Sequence, residues 1–315
     1  MWTREEDIQH DMYRPYYYDR IAAGLDEQGK PIAWTHRITG PSILGRVINQ
    51  LMPKTIKVLR AAGIHQLVSM VRGLDTDAVE GAAEPPYALA NIRVEYVRHE
   101  PPAIPTAFWR GVGTTHSIFV VESFIDELAA AAKQDPFEYR RALLDKSPRA
   151  KAVLELAAQR AGWGQPLPHR SGRGISLLRA FGDTYIAQVA EVSVSNEGDV
   201  RVQRVVCAID CGTVVNPDTV KAQMESGIIF GITAALFGEI TIKDGRVEQH
   251  NFHDYQMLRI NEAPVIEVHV IPSTAAPGGV GEPGTSAVIP AVGNAIFAAT
   301  GKRIRKLPVK DQLRS

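Results

Sequence analysis

The sequence predicts an α+β fold in which mixed sheets carry packed helices. Segments with period-two alternation lie on both sides of a contiguous block of three well-punctuated helices. The chain has 315 residues, 45% of them hydrophobic and 22% charged, so it has ample apolar surface to bury and little reason to stay open.

The elements follow in order. Ile21 to Leu25 and Ile32 to Thr35 flank Asp26-Glu27-Gln28-Gly29-Lys30 and read as a hairpin that starts almost at once, so the chain is expected to begin mid-fold. Residues 36–90 are hard to read; Ile56, Leu59, Leu67, Val68 and Val71 suggest two short helices parted near Gly63, a helical insertion at about 50–75. Ile92, Val94 and Tyr96 alternate with charged residues as a strand does, and Pro101, Pro102 and Pro105 end it. A helix over about 115–133 stripes Ile118, Val121, Ile125, Leu128 and Ala132, with Glu122 and Asp126 one turn apart beside them. Asp135-Pro136-Phe137-Glu138 announces a second helix, in which Asp135 caps and Glu138 bonds back. A third runs from Ser147-Pro148 to Gly162. Strands follow over Gly172 to Ile209 with a turn at Asn196 to Asp199, and Asn216-Pro217-Asp218 starts a helix that reaches about Leu236. Next come a hairpin turning at Asp244-Gly245 and an alternating strand at Ile266, Val268 and Val270. The last helix starts between Ser286 and Pro290 and stops before Gly301. The expected division is 1–110, an N-terminal α/β segment, and 111–315, a C-terminal domain that carries the helical block 115–161 and the loops discussed next.

Composition excludes several function classes. With 35 basic and 35 acidic side chains, no basic surplus is present to engage a phosphate backbone, so a nucleic-acid partner is not expected. The most apolar stretch, Gly227 to Gly238, is about half of the ~20 residues a bilayer crossing needs and is broken by three glycines and Thr233. The charged opening Met1 to Asp7 is unlike a signal peptide. Two cysteines, Cys207 and Cys211, are too few for an iron–sulfur cluster or a four-ligand zinc. Their C-x-x-x-C spacing with distant His250 and His253 is weak as a metal signal, and they read as buried thiols and loop histidines.

Three segments carry chemistry. Pro277 to Gly284 is a glycine loop with one carboxylate, Glu282, between a strand and a helix. Gly279, Gly281 and Gly284 fit G-x-G-x-x-G, but too little chain remains after Thr300 for the second strand and acidic residue of a dinucleotide fold. What remains is bare backbone able to approach a flat or phosphorylated ligand, beside a carboxylate near a helix N-terminus whose ionised form that end favours; an ordinary strand-to-helix turn is the alternative. In Phe108-Trp109-Arg110-Gly111-Val112-Gly113, an arginine among glycines is free to offer its fork to phosphate or an oxo group, or the segment is a bend covered by a tryptophan. After Asp210-Cys211-Gly212 and Asn216-Pro217, Gln223 offers an amide one turn before Gly227 and Gly231, which otherwise serve helix packing.

Taken together these segments, with Trp2-Thr3-Arg4-Glu5-Glu6-Asp7, Glu122 to Leu128 and Gln223-Met224-Glu225, resemble the C-terminal part of the molybdenum-binding large subunit of the xanthine dehydrogenase and aldehyde oxidase family, in the branch that holds the isoquinoline 1-oxidoreductase beta subunits. The likeness runs nearly end to end. It implies molybdenum held by the dithiolene of a pterin, in the molybdopterin cytosine dinucleotide form, with no metal ligand from the protein. By that resemblance Glu282 is the general base that takes the proton of the molybdenum-bound hydroxyl as its oxygen attacks an electron-poor carbon. Trp109, Arg110, Gly111, Val112 and Gly113 would line the cofactor, Gln223 and Gly227 would meet it from the following helix, and Gly279, Val280 and Gly281 would bring backbone amides to it. The implied reaction is hydroxylation of an aldehyde or N-heterocycle with water-derived oxygen. The implied partners are the missing upstream half of the large subunit, which holds a Gly-Gly-x-Phe loop not found here, a small iron–sulfur subunit and a cytochrome subunit; iron–sulfur clusters or haem sit on those partners. The compartment is cytoplasmic by default, periplasmic if the complex is exported. The other reading is a truncated, inactive fragment or a binding module of the same fold.

Overall fold

A computed structural model describes residues 1–43, 75–100 and 104–314; the expected helices at about 50–75 lie outside the described residues. A short helix, α1 (Arg4–His10), which the pattern did not announce, opens on a capping box between Thr3 and Glu6. The hairpin forms β1 (Tyr18–Leu25) and β2 (Pro31–Gly40), antiparallel and longer at both outer ends than the pattern indicated. The strand β3 (Ile92–Arg98) adds to β2 in parallel.

The helical block is α2 (Thr114–Ala131), α3 (Pro136–Ala142) and α4 (Pro148–Ala161). Asp135 caps α3 by accepting from Phe137 and Glu138 N–H, but Glu138 pairs with Arg141 instead of bonding back. Gly162 closes α4 in the left-handed conformation at φ 64°. Then β4 (Ser171–Ala180), β5 (Thr184–Val194) and β6 (Val200–Asp210) run antiparallel, and β9 (Val265–Val270) joins β6 in parallel. Between β6 and β9 lie α5 (Pro217–Leu236), capped by Asn216, and the two-residue strands β7 (Ile242–Lys243) and β8 (Arg246–Val247). The last helix, α6 (Pro283–Thr300), begins earlier than expected: Pro283 occupies the first helical position, where its missing N–H costs nothing, and Pro290 is carried inside the helix.

The four-stranded sheet is covered on both faces, as its alternation requires. One face places Leu178, Ile186, Val205, Cys207 and Ile209 against α5 and α6. The other sends Leu177, Ala187, Val189, Val206 and Ala208 toward α4 and the Trp34 and Ile38 side of the small sheet. Cys207 is thus a core thiol, pushed up to about 12 by burial, while His250 and His253 are exposed beside Asp254. No helix among the described residues is long and apolar enough to cross a membrane.

Glu122 and Asp126, placed beside the apolar stripe of α2, are both buried. Glu122 accepts from Arg140 Nε (2.9 Å), Tyr87 OH (2.7 Å) and Leu177 N–H (3.1 Å), and Arg140 also reaches Asp126 at 3.3 Å. Burial opposes the Arg140 charge, but the facing carboxylates and Tyr87 outweigh it and hold the guanidinium above its ordinary range. Breaking one side of such a pair strands the other charge, so Arg140→Met is expected to cost about 3–5 kcal/mol in a urea melt. A loss below about 1 kcal/mol would show that the pair stabilises no more than a surface bridge.

Candidate functional site

Three segments far apart in the chain converge at the N-terminus of α6. The first is a bend in which Val112 N–H donates to the Trp109 carbonyl at 2.7 Å. Gly111 (φ 94°) and the β-branched Val112 (φ 46°) are both left-handed, and strain of that kind in a non-glycine residue is held only by its surroundings. Those surroundings are dense. A Cβ on Gly111 would collide with Ser286 Oγ, and one on Gly113 with the Asp77 carbonyl oxygen. Thr114 Oγ1, bonded to the Gly111 carbonyl, also shares a hydrogen bond with Ser286 Oγ, each at 2.6 Å, and so bolts the bend to α6.

The second segment is the glycine loop, strapped at two corners. Gly278 N–H donates to the Cys211 carbonyl at 2.9 Å and Thr213 N–H to the Ala275 carbonyl at 2.9 Å. At the other corner Gly279 N–H donates to the Phe181 carbonyl at 2.7 Å, and Thr184 Oγ1 donates to the Gly279 carbonyl at 2.9 Å. The Asp210-Cys211-Gly212 turn is itself fixed: Asp210 accepts two bonds of 2.7 Å from Arg149 and one of 3.0 Å from Gly212 N–H. Arg149, Phe181 and Thr184 therefore support the loop, and nothing local in the sequence marked them.

The third segment is α5. Its Gln223 and Ser226 meet Arg110, whose fork is spent inside the protein: Nε donates to the Gly281 carbonyl (2.8 Å), Nη1 to Ser226 Oγ (2.9 Å) and Nη2 to Gln223 Oε1 (3.1 Å). Three of its donors bridge the glycine loop and α5. It is a clamp across loop and helix. Burial lowers its pKa and the Glu282 charge works against that. Trp109 stacks on Phe230 of α5 with ring centroids 4.7 Å apart, and the Arg14 guanidinium lies 4.6 Å from the Trp109 ring.

Glu282 is the residue before the first turn of α6, yet its side chain caps nothing there. Instead Oε1 accepts from Gly111 N–H at 3.1 Å. The Gly111 N–H thereby fixes the direction of the carboxylate. Gly227 is buried, and an added Cβ would stand 3.1 Å from the Thr285 backbone nitrogen, so its bare backbone lets α5 pack on the start of α6. Val280 packs its side chain on the core. Gly281 differs: it is exposed, and a Cβ there would find only Gln223 Oε1, 4.0 Å away. The exposed backbone of Gly281, the Gln223 amide and the Glu282 carboxylate thus lie on neighbouring segments that Arg110 ties together. This donor set suits a flat polar pterin and offers no cluster of metal ligands among the described residues.

Two family models, each described as a molybdopterin cofactor-binding domain, match residues 110–264 and 58–144. The beta subunit of isoquinoline 1-oxidoreductase from Brevundimonas diminuta is 30% identical over 99% of this chain and 38% of its own length. A nicotinate dehydrogenase subunit from Pseudomonas putida is 34% identical over 98% of the chain and 26% of its own length. Quinoline 2-oxidoreductase of Pseudomonas putida 86 superimposes with a TM-score of 0.77 over 99% of this chain and 64% of that one; at 13% identity the likeness is one of fold. The chain spans well under half the length of the two relatives matched by sequence.

The seam between α5 and α6 sets where Glu282 stands. An added Cβ on Gly231 would collide with the Thr285 carbonyl oxygen, whereas one on Gly293 meets only Phe119 at 3.4 Å. Gly231→Ala is expected to destabilise by about 1–3 kcal/mol through overpacking, and Gly293→Ala to be neutral or stabilising by up to about 1 kcal/mol. Paired denaturant melts check both signs.

Proposed function

Because the chain belongs to the molybdopterin-binding large subunits of the xanthine dehydrogenase and aldehyde oxidase family, we propose that it is the Glu282-bearing part of a molybdenum hydroxylase. The substrate class is an N-heterocycle or an aldehyde, the first favoured by the names of the relatives. Activity belongs to an assembly with the rest of the large subunit, a small iron–sulfur subunit and a cytochrome subunit that carry the electrons away.

The observation that carries this reading is the Glu282 carboxylate, bonded to Gly111 N–H at 3.1 Å, beside the bare backbone of Gly279 to Gly281. When bound, the molybdenum and its pterin, in the cytosine dinucleotide form, supply the two-electron oxidation and acidify a water-derived oxygen. Glu282 then takes the proton. With Oε1 held by Gly111 N–H, Oε2 is the oxygen that would accept it. Arg110 keeps the loop at a fixed distance from α5 by holding Gly281 and Gln223 together. Gln223 Nε2 and the backbone amides of Val280 and Gly281 are the groups that would meet the pterin edge, since the Gly279 amide is bonded to the Phe181 carbonyl.

Co-expression with the upstream half of the large subunit and the small subunit should yield protein carrying molybdenum and pterin. In that material Glu282→Gln should retain both and lose about 10²–10⁴-fold in turnover, the contribution of a positioned proton acceptor. Metal analysis and steady-state rates decide it. Near-normal turnover would remove Glu282 from the mechanism, and failure of molybdenum to co-purify under any pairing would remove the enzyme reading.

A further inference from the structure

The segment between α1 and β1 reaches across to the bend that holds Glu282. Tyr13 bridges in parallel to Thr106, at the entry to that bend: Tyr13 N–H donates to the Pro105 carbonyl at 2.8 Å, and Ala107 N–H to the Tyr13 carbonyl at 3.2 Å. The next residue, Arg14, touches the bend at both ends. Its guanidinium lies 4.6 Å from the centroid of the Trp109 ring, and Nη2 donates to the Thr115 carbonyl at 3.2 Å. The Trp109 carbonyl accepts from Val112 N–H, and Thr115 Oγ1 donates to the Val112 carbonyl at 2.9 Å. Between these two anchors stand Gly111 and Val112, the left-handed pair. A planar guanidinium can lie on a ring and donate from its edge at once, which an ammonium cannot do. Arg14 forms no ion pair among the described residues, so no carboxylate competes for those contacts. Burial lowers the guanidinium to about 10, with Tyr255 opposing, so the cation is intact at neutral pH.

We infer that Arg14 is a positioning residue for Glu282: by fastening Trp109 to Thr115 it keeps the strained bend closed and the Gly111 N–H aimed at Glu282 Oε1. A β-branched residue in the left-handed region persists only where its surroundings impose it. Ser286 and Phe230 hold this bend toward α6 and α5, whereas Arg14 ties its two ends to each other. The inference deepens the reading of Glu282 as proton acceptor and, for any effect on turnover, rests on it.

The Gly111 and Val112 amides are bonded to Glu282 Oε1 and the Trp109 carbonyl, so their exchange with solvent deuterium reports opening of the bend. The test compares the full chain with Arg14→Met, which keeps the apolar stem, and Arg14→Lys, which keeps the charge but not the fork. The two bend amides are expected to exchange faster by about tenfold or more in Arg14→Met, the worth of a cation on a ring plus one charged hydrogen bond. Arg14→Lys should give a smaller factor and leave β5 as protected as before. Unchanged bend exchange in Arg14→Met overturns the inference, as does a loss that β5 shares in both variants. In the cofactor-loaded assembly Arg14→Met is expected to lower kcat at unchanged KM and molybdenum content. It should add no further loss to Glu282→Gln, because both act on one carboxylate, which a merely structural role would not do. Additive losses overturn it. If cofactor never loads, or Glu282→Gln turns over normally, the reading of Glu282 fails, and the exchange result still decides whether Arg14 holds the bend.

Discussion

The close approach of α6 to the backbone of its neighbours is the constraint on which the rest of the structure depends. Every residue from Pro283 to Ile296 is buried, so the helix must be accepted on all sides at once. Glycines make this possible where side chains would forbid it. Added Cβ atoms on Gly172 and Gly174 of β4 would collide with the backbone of α6 around Ala291, Ala295 and Ala299, and those on Gly227 and Gly231 of α5 would crowd Thr285. A helix seated on bare backbone from two directions has little freedom to slide or rotate. Its first turn therefore delivers Glu282 to one place.

Polar stitches hold the same helix along its length. Ser176 Oγ donates to the Ala287 carbonyl at 2.6 Å, and Gln188, fully buried, donates to the Gly284 carbonyl at 3.2 Å. Asn294 Nδ2 bridges the carbonyls of Glu122 and Ile175, and Arg303 joins Asn294 to Asp126. The buried Glu122–Arg140 pair is thus one end of a network that runs from α3 through α2 to α6. Such a network is costly to assemble in a low-dielectric interior, and it penalises any alternative seating that leaves a member unpaired.

The surface this frame presents divides its labour. Arg110 and the Asp210 turn are structural: both are charged groups whose bonds are spent on holding loops. Gly281, Gln223 and Glu282 keep groups in reserve. This separation explains why the glycine loop between β9 and α6 needs no rigidity of its own. Its shape is imposed by Cys211, Phe181, Thr184 and Arg110, each from a different element.

The sequence determined much of this by itself. Period-two alternation gave the strands, because burial on a pleated sheet repeats every second residue. Asn216-Pro217, Asp135-Pro136, Ser147-Pro148 and Gly162 marked helix ends, because unpaired backbone groups demand such residues. The order of the Trp109, Gln223 and Glu282 motifs was enough to draw the family resemblance. Other things lay beyond local pattern. Pro290 read as a helix start because an interior proline is normally excluded, and only dense packing keeps it within α6. Glu122 and Asp126 could be placed one turn apart beside the apolar stripe, but nothing near them in the chain indicates that Arg140 folds back to meet them. Arg110 looked free for a ligand, but its partners lie more than a hundred residues away. Sequence fixes what each segment prefers alone. Which charges are satisfied, and which are left to do chemistry, is decided only when distant segments share one buried space.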